Sequence, residues 1–510
     1  MLHYLLTIFL FTCLQIHTKD DDFFSHTVEK GQTVYSIASM YHLSVDDIYA
    51  LNPQSKTLIK VGGKLKIPQK SGSYIYHVIQ PKETLYALSK KYLIKGEDIL
   101  AVNQGLSTQT FQTGKIIRIP VNRTEAVAKS GNEMINRVNA NSLLNQVAAP
   151  VQPIKTIRVA LLLPFGLKEN ATGENRMIEY YEGFLLALKT LKSRNISIDL
   201  QVYDVGSDTK DIPGILKKEE MQQVHLIIGG LSEEQIKIIS RFSNERNIPY
   251  IIPFTSTTSE PYNNPAAYQV NTPHTILYAK AATAFINKYR NHRIFLVSGG
   301  NNDVNQSEFI DFLRGELYEK QIPFETIPAE RFLDENFASN LDLRKGNAFV
   351  PDDDSSATIE KMIIHLKSIR DNHPEYRISL FGYPRWQTYN SKYFTGFSRL
   401  NISFFSVFYA DVTSMEVKNF YDTFHKWYSR NIANNFPKFG ILGYDMGMYF
   451  LQSVHIYGMS FGKDANMLKY KGLQTDFHFE RVNNWGGFIN TNLFIVNYNP
   501  DNSITKISIK

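Results

Sequence analysis

The sequence contains a single cysteine, Cys13, among 510 residues. A chain without a second cysteine forms no internal disulfide, and no thiol nucleophile follows position 13. This scarcity excludes a disulfide-stabilised fold and cysteine-dependent hydrolysis. No later stretch reaches eighteen consecutive apolar residues, so the sequence predicts no membrane-spanning helix after its first segment.

Motifs that hold metals, phosphates or dinucleotides are also missing. The 13 histidines include no His-x-x-x-His pair with a nearby acid, and Asp352-Asp353-Asp354 is typical of a solvated loop. Gly458–Gly462 matches the Gly-x-Ser-x-Gly pattern of a nucleophilic serine, but that motif needs a preceding strand and Tyr444–Tyr457 is predicted to be helical. We therefore expect no catalytic residues, no metal and no cofactor.

The first residues indicate export. Leu5–Leu14 is a short apolar run that Asp20–Asp22 follows, which is typical of a secretory signal peptide over residues 1–22. The predicted location is the periplasm or cell envelope. Cys13 follows Leu10-Phe11-Thr12, which is similar to a lipobox, so a lipoprotein is an alternative and membrane attachment is expected only with lipidation.

Positive charge is concentrated in one part of the chain. The net charge is +6, and residues 25–120 hold 12 Lys+Arg and 6 Asp+Glu, a local excess of +6. An anionic surface or polymer would favour this segment. Nucleic acid is not an expected partner, because no basic run or aromatic-basic motif accompanies the charge.

This basic segment is an internal repeat. His26-Thr27-Val28 and His77-Val78-Ile79 begin two similar segments 51 residues apart. In each, a threonine precedes apolar residues at helical spacing, and an alternating strand ends at a proline. Ser44 with Asp47 is predicted to cap a second helix. The pattern predicts strand, helix, helix, strand in each repeat, over residues 25–69 and 75–121.

Both segments resemble the lysin-motif (LysM) family in their opening strand, Gly-x-Thr turn, Asn-Pro and closing Leu-x-Ile-Pro. The resemblance implies binding of peptidoglycan or another N-acetylglucosamine glycan in a shallow groove between two loops. Acetamido groups need backbone donors and acceptors beside an apolar ledge. Mapped onto this chain, the implied glycan-binding residues are Gly31, Gln32, Thr33, Val34, Asn52, Pro53, Leu58 and Ile59 in the first repeat and Thr84, Leu85, Asn103 and Phe111 in the second.

The second repeat departs from the family pattern at two positions. Lys82 stands where the first repeat has Gly31, and Gln104 stands where it has Pro53. We therefore expect the first groove to bind glycan more tightly. The repeated apolar residues, such as Ile37 and Ile67, are expected to form the cores.

A change of composition separates the repeats from a larger module. Residues 122–153 lack aromatic side chains and are predicted to be a linker. From residue 154, apolar strands and amphipathic helices alternate, beginning with Ile157–Leu163 and a helix from Met177 to Leu191. This alternation predicts a doubly wound α/β fold, and about 350 residues predict two lobes.

Residues 154–510 resemble type-I periplasmic binding proteins of the leucine and amino-acid branch. The resemblance lies in Leu161–Phe165, Glu182-Gly183, Ile228–Gly230, Ile248-Pro249 and Gly443–Asp445. It implies a small ligand between the lobes, with its carboxylate held near Ser232, Thr255, Ser256 and Thr257. Gln269–His274 lacks the family's arginine, and Ser298–Asp303 lacks its tyrosine-glycine pair.

Two side chains of this module have a second interpretation. Ser232 with Gln235 forms a capping-box pattern, so its hydroxyl can serve the helix instead of a ligand. Tyr383 belongs to an aromatic cluster with Trp386, Tyr389 and Tyr393, which could stack on a ligand or form core. The sequence thus supports a wall-bound solute-binding or sensing protein. The alternative is a scaffold or activator that docks a cell-wall synthase or hydrolase.

Overall fold

The computed structural model describes residues 23–121 apart from 30 and 58, residues 143–144, 154–166 and 175–298, and residues 304–509 apart from 464. The chain forms two compact units. The smaller comprises residues 1–29 with 41–145, and the larger comprises residues 30–40 with 146–510. The predicted signal peptide, Cys13 and nearly all of the predicted linker lie outside the described residues.

The repeats have the predicted order of strand, helix, helix, strand. In the first, β1 pairs antiparallel with β2, and in the second, β4 pairs antiparallel with β5. A short extra strand, β3, pairs with β4. The elements are β1 (Phe23–Thr27), α1 (Val34–Met40), α2 (Val45–Leu51), β2 (Lys64–Pro68), β3 (Lys70–Ser71), β4 (Tyr74–Val78), α3 (Leu85–Tyr92), α4 (Gly96–Ala101) and β5 (Ile116–Pro120).

The helices of the repeats begin where the caps were predicted. The Thr33 and Thr84 hydroxyls accept the N–H groups of Ser36 and Ala87 at 3.0 and 3.1 Å. Ser44 forms a reciprocal capping box with Asp47 before α2. These bonds satisfy donors that a helix start otherwise leaves unpaired.

Each repeat buries apolar residues of its second helix and its closing strand. In the first repeat Ile48, Leu65 and Ile67 are buried, and in the second Leu85, Leu88, Ile99, Ile117 and Ile119 form the core. Leu143 and Leu144, within the predicted linker, pack against the second core. The linker segment therefore contacts the second repeat at that point.

The first sheet of the larger unit has the order β16-β17-β10-β9-β8-β6-β7 among the described residues, and we name it lobe 1 with its helices. Its strands from β6 to β10, together with β17, are parallel. Its elements are β6 (Thr156–Leu163), α5 (Arg176–Lys192), β7 (Ser197–Asp204), α6 (Ile212–Leu216), β8 (Leu226–Gly229), α7 (Glu233–Arg246), β9 (Tyr250–Ile252), β10 (Ala267–Gln269), β16 (Phe479–Arg481) and β17 (Phe488–Asn490).

The second sheet, lobe 2, has the order β12-β11-β13-β14-β15-β18-β19 within the described ranges. It is parallel from β12 to β15 and antiparallel at β18 and β19. Its elements are β11 (Arg293–Ser298), α9 (Val304–Glu319), β12 (Phe324–Pro328), α10 (Ala329–Phe332), β13 (Asn347–Pro351), α11 (Ser356–Asn372), β14 (Ile378–Gly382), α12 (Asn390–Arg399), β15 (Ser403–Ser406), β18 (Leu493–Tyr498) and β19 (Ile504–Ile509).

The chain passes between the two sheets three times in the part that the structure describes. The first passage runs through α8 (His274–Tyr289), the second through α13 (Met415–Tyr428) and α14 (Phe439–Tyr457), and the third joins β17 directly to β18. This order confirms the predicted two-lobed, doubly wound architecture. The helix α14, followed by a short 3-10 segment at Gly458–Lys463, also confirms that a helix and not a strand precedes the Gly-x-Ser-x-Gly match.

A buried carboxylate fixes the second passage. Asp445 on α14 accepts the backbone N–H groups of Leu473, Gln474 and Thr475 and the hydroxyl of Tyr470, at 2.8–3.0 Å. Burial raises the pKa of this carboxyl, and the four hydrogen bonds oppose the rise. The Thr475 hydroxyl donates to the Val407 carbonyl after β15, so the Asp445 loop reaches lobe 2.

Candidate functional site

The asparagines of the implied glycan grooves are structural in both repeats. The Asn52 amide donates to the carbonyls of Ile48 and Lys66 and accepts the Lys66 N–H at 2.8–2.9 Å. Asn103 bonds in the same way to Ile99 and Arg118. Their exposed fractions are 1% and 0%. These side chains join the second helix to the closing strand, so they support a groove and do not line it.

The turn before the first helix has the same backbone in both repeats. Gly31 and Lys82 adopt φ of 83° and 65°, the left-handed region that favours glycine. The replacement of Gly31 by Lys82 therefore preserves the turn, although a side chain in this conformation costs about 1–2 kcal/mol. The weaker glycan binding predicted for the second groove therefore does not follow from a loss of the left-handed turn residue.

A histidine–tyrosine pair recurs in both repeats. His26 Nδ1 lies 2.8 Å from the Tyr41 hydroxyl, and His77 Nδ1 lies 2.9 Å from the Tyr92 hydroxyl. In the second repeat His77 Nε2 also lies 2.6 Å from Glu83, whose carboxylate accepts the Gln80 N–H. Glu83 thus holds the turn closed by bonding to the strand.

The remaining groove residues divide by exposure. Val34 and Leu85 are buried in their cores, whereas Pro53 is exposed and Gln32, Ile59 and Phe111 are half-buried. Leu58 lies outside the described residues. Ile59 and Phe111 therefore keep part of their apolar surface exposed, while the threonines cap helices.

The prediction of sites from sequence omitted one aromatic pair. Tyr35 and Tyr86 occupy the same position in the two repeats, one residue into the first helix, and Tyr35 is 51% exposed. Tyr86 is half-buried, with the Lys90 ammonium 5.0 Å from its ring. The recurrence of a tyrosine two residues after the capping threonine of each repeat was the sequence signal that could have identified both.

The implied ligand residues of lobe 1 lie at the carboxyl ends of β8 and β9. The Ser232 hydroxyl accepts the Gln235 N–H at 3.2 Å, and the Gln235 amide accepts the Leu231 N–H, which is the predicted capping box. Thr255 Oγ1 accepts the Thr257 N–H at 3.1 Å. Thr257 is exposed and Ser256 is half-buried. The threonine hydroxyls stay at the surface, while Ser232 serves the helix.

Tyr383 is placed in the core of lobe 2. It follows β14, is 5% exposed and donates its hydroxyl to the Pro351 carbonyl at 2.6 Å. Its ring lies 5.8 Å from Phe309 and 6.2 Å from the buried Trp386. Burial raises the pKa of Tyr383 well above its usual range. The side chain is therefore enclosed by neighbours and presents no surface to a ligand.

A cavity of about 540 Å³ lies beside the first turn of α5 in the larger unit. The buried Glu179 accepts the N–H groups of Ala433 and Gly440 at 2.9 and 3.1 Å. Arg430 lies 3.5 Å from Glu179 and also pairs with Glu182. These bonds fasten the loop after α13 and the start of α14 to α5, and they give the cavity its wall. Its lining is amide-rich: Asn175, Arg176, Ile178, Glu179, Arg430, Asn431, Ile432, Ala433, Asn434 and Asn435.

Comparison with known families decides the nature of the repeats. The LysM domain model matches residues 26–68 and 77–120. A curated Bacillus subtilis (strain 168) protein named for a sporulation-specific glycosylase is 37% identical over 97 residues, 19% of this chain. The chain spans 22% of that relative's length, and the match lies in the LysM region alone. The two N-terminal repeats are LysM repeats.

Solved structures resemble the larger unit at low identity. A branched-chain amino acid transporter ligand-binding protein of Burkholderia xenovorans is 12% identical, covering 69% of this chain and 95% of its own, with a TM-score of 0.46. A Streptococcus pneumoniae transporter substrate-binding protein in complex with isoleucine is 13% identical, covering 70% and 100%, with a TM-score of 0.39. The two-lobed architecture itself is established by the strand order described above.

Two negative findings complete the description of the site. Among the residues that the structure describes, no helix combines the length and hydropathy needed to cross a membrane. Over the same residues, no three histidine, cysteine, aspartate or glutamate side chains converge in a metal-binding cluster. Asp353 is instead bonded to Ser355 and Thr358 at the start of α11.

Proposed function

We propose that this chain is a non-catalytic envelope protein that binds peptidoglycan through its two LysM repeats. The observation that carries the proposal is the match of both repeats to the LysM family, together with a left-handed residue at the same turn position in each. The excess of +6 over residues 25–120 favours an anionic wall polymer. Tyr35 and Tyr86 provide aromatic faces beside the turns, and Ile59 and Phe111 provide apolar ledges.

The experiment is sedimentation of the full chain with purified peptidoglycan at physiological salt. The parent is expected to sediment with the wall, and the double variant Tyr35→Ser with Tyr86→Ser is expected to remain largely in solution. Tyr318→Ser is the matched control, because Tyr318 is 81% exposed on α9, outside the repeats. Failure of the parent to sediment would refute the proposal, and equal loss in the control would refute the role of the two tyrosines.

The larger module is proposed to bind a small envelope ligand, for transport or sensing. Support comes from the two-sheet topology, because ligands of open α/β sheets bind at the carboxyl ends of strands. It also comes from the exposed Thr257 at such an edge and from the cavity beside α5, whose volume lies in the range of small-molecule sites. Docking of a cell-wall enzyme remains the competing outcome.

A further inference from the structure

The segment that joins the two LysM repeats is part of a sheet. Lys70 and Ser71 form β3, which pairs antiparallel with Ile75 and Tyr74 of β4. The Gln69 carbonyl accepts the Tyr76 N–H at 2.7 Å. The Ser71 hydroxyl also donates to the His42 carbonyl in the first repeat at 3.3 Å. The segment between the two repeats is therefore hydrogen-bonded to both of them and is not a flexible linker.

The outer faces of the two sheets differ. In the first repeat this face is exposed, with Ser25 opposite Lys66. The corresponding pair in the second repeat is Tyr76 opposite Arg118, and these residues are 0% and 4% exposed. A face that is open to solvent in one repeat is therefore covered in the other.

Residues of the first repeat cover that face. The Tyr41 ring meets the Tyr76 ring edge-on at 4.9 Å, and His42 Nε2 lies 3.1 Å from Arg118 Nη2. Within the second repeat, the Arg118 guanidinium lies 4.7 Å from the centre of the Tyr74 ring. The His42 ring also stacks on the Tyr74 ring, with 6.3 Å between the ring centres. The contact has the packing of a fixed interface.

We propose that the two LysM repeats form one rigid body in which Arg118 fixes their relative orientation, so that a long glycan is held at two places at once. This inference rests on the proposed glycan binding. The covalent link between the repeats makes the second binding event intramolecular. A fixed orientation that matches the polymer raises the effective concentration of the second groove, which strengthens polymer binding without changing the affinity of either groove. Arg118 is thus a positioning residue, because it lies at the interface and outside both grooves.

The first test measures the orientation directly in the full chain. Spin labels are placed at Asp46→Cys and Glu97→Cys, which start the second helix of each repeat, in a Cys13→Ser background. The parent is expected to give one narrow distance, and Arg118→Ala a broad distribution. Lys66→Ala is the matched control, since Lys66 is the exposed counterpart of Arg118. A broad distribution in the parent would overturn the proposal.

The second test separates orientation from groove affinity. The full chain is titrated with a short chitooligosaccharide that occupies one groove and is sedimented with intact peptidoglycan. Arg118→Ala is expected to keep the oligosaccharide affinity and to lose about tenfold or more in affinity for the polymer. Unchanged polymer affinity, or an equal loss for both ligands, would refute the proposal.

Two further measurements keep this test decisive. His42→Ala removes the same contact from the first repeat and is expected to reproduce the loss seen with Arg118→Ala, so failure of one variant to fold does not remove the test. A parent that binds neither ligand would refute glycan binding itself. The narrow distance between the labels would then still establish the rigid pair.

Discussion

At the scale of single residues, two buried asparagines determine how each LysM repeat closes. Asn52 and Asn103 have the spacing that the family associates with a glycan loop, but each places its amide among the backbone groups of a helix and a strand. Their side chains replace the main-chain bonds that these segments cannot form with each other. A polar side chain at a loop position therefore does not by itself indicate contact with a ligand.

Asn103→Ala is expected to destabilise the second repeat by about 2–4 kcal/mol, because it leaves the Ile99 and Arg118 carbonyls and the Arg118 N–H without their buried partner. The measurement is hydrogen exchange of the β5 segment in the full chain, which should become faster. Gln104→Ala is the control, since Gln104 is exposed and its loss should change little. Parental exchange rates in Asn103→Ala would contradict this assignment.

Asp445→Asn is expected to destabilise the larger unit by about 3 kcal/mol or more, because an amide nitrogen would face donors that now reach a carboxylate. Urea unfolding followed by tryptophan fluorescence reports this unit, since Trp386, Trp427 and Trp485 all lie in it. Asp422→Asn, at an exposed position on α13, should leave the midpoint unchanged. Equal midpoints for both variants would show that the hydrogen bonds of the Asp445 carboxylate are dispensable for stability.

Sequence reasoning at this scale succeeded where the chemistry is local. The caps at Thr33, Ser44 and Ser232 were predicted because a hydroxyl and a residue three positions on can bond without help from the rest of the fold. The orientation of Asn103 and Tyr383 could not be predicted, because it depends on strands and loops that only the tertiary structure brings near.

At the scale of elements, the turn before α3 holds Lys82 in the left-handed region of φ, which is unfavourable for a residue with a side chain. Lys82→Gly is expected to stabilise the second repeat by up to about 1 kcal/mol, because relief of the left-handed backbone strain outweighs the freedom that glycine adds to the unfolded chain. Gly114→Ala is the opposite change in the same repeat. Gly114 has φ of 85° and open space where a β-carbon would stand, so a loss of about 1 kcal/mol is expected from backbone strain.

Hydrogen exchange of β5 measures both variants on the same unfolding event. Slower exchange in Lys82→Gly together with faster exchange in Gly114→Ala would support the backbone explanation. If Lys82→Gly exchanges faster than the parent, the lysine side chain makes contacts that outweigh its strained backbone.

The interface between the repeats is expected to weaken in acid. Partial burial, and then the charge of Arg118, lower the pKa of His42 from 6.5 to about 4. Undocked His42 therefore takes up a proton before docked His42 does, so the docked state is fully stable above about pH 6.5 and loses stability as the pH falls towards 4. The facing groups are the Arg118 guanidinium and the Tyr74 ring, which stacks 6.3 Å away.

The distance between the labels on Asp46 and Glu97 measures this effect at pH 7 and pH 4.5. The parent is expected to broaden at the lower pH, and His42→Gln should show much less change. Identical distributions for the parent at both pH values would contradict the prediction.

The elements of the larger unit were largely predictable, and their arrangement was not. Apolar runs gave β6 and the helix α5 nearly to their ends, because burial on both faces of a parallel sheet imposes continuous hydrophobicity. The position of β16 and β17 in lobe 1 could not be predicted, because the order of strands along the chain does not determine which of the two sheets a strand joins.

At the scale of the whole molecule, the larger module is expected not to bind free amino acids tightly. Ser232 caps a helix, and the family's arginine and second-lobe residues are absent from the sequence. A ligand at one hundred times its dissociation constant would add about 2.7 kcal/mol to the folded state. In a chain of this size that is a shift of a few degrees in the melting temperature, which remains measurable.

Thermal melts of the full chain with millimolar leucine or glutamate, followed by tryptophan fluorescence, should therefore show no shift in the transition. A rise in melting temperature with an amino acid that Thr257→Ala abolishes would contradict this prediction and would favour an amino-acid ligand of the transporter type. A shift with a purified cell-wall enzyme alone would favour the scaffold.

The three passages between the sheets also affect how the protein survives cleavage. A peptidase that cuts the exposed loop at Leu343 leaves two fragments, and each supplies strands to both sheets: β11 and β12 of lobe 2 come from the first, and β16 and β17 of lobe 1 come from the second. Because each sheet contains strands of both fragments, the fragments cannot dissociate without breaking both sheets. A nicked copy should therefore run as two bands in denaturing gels and as one particle in native gels, and should remain attached to the wall.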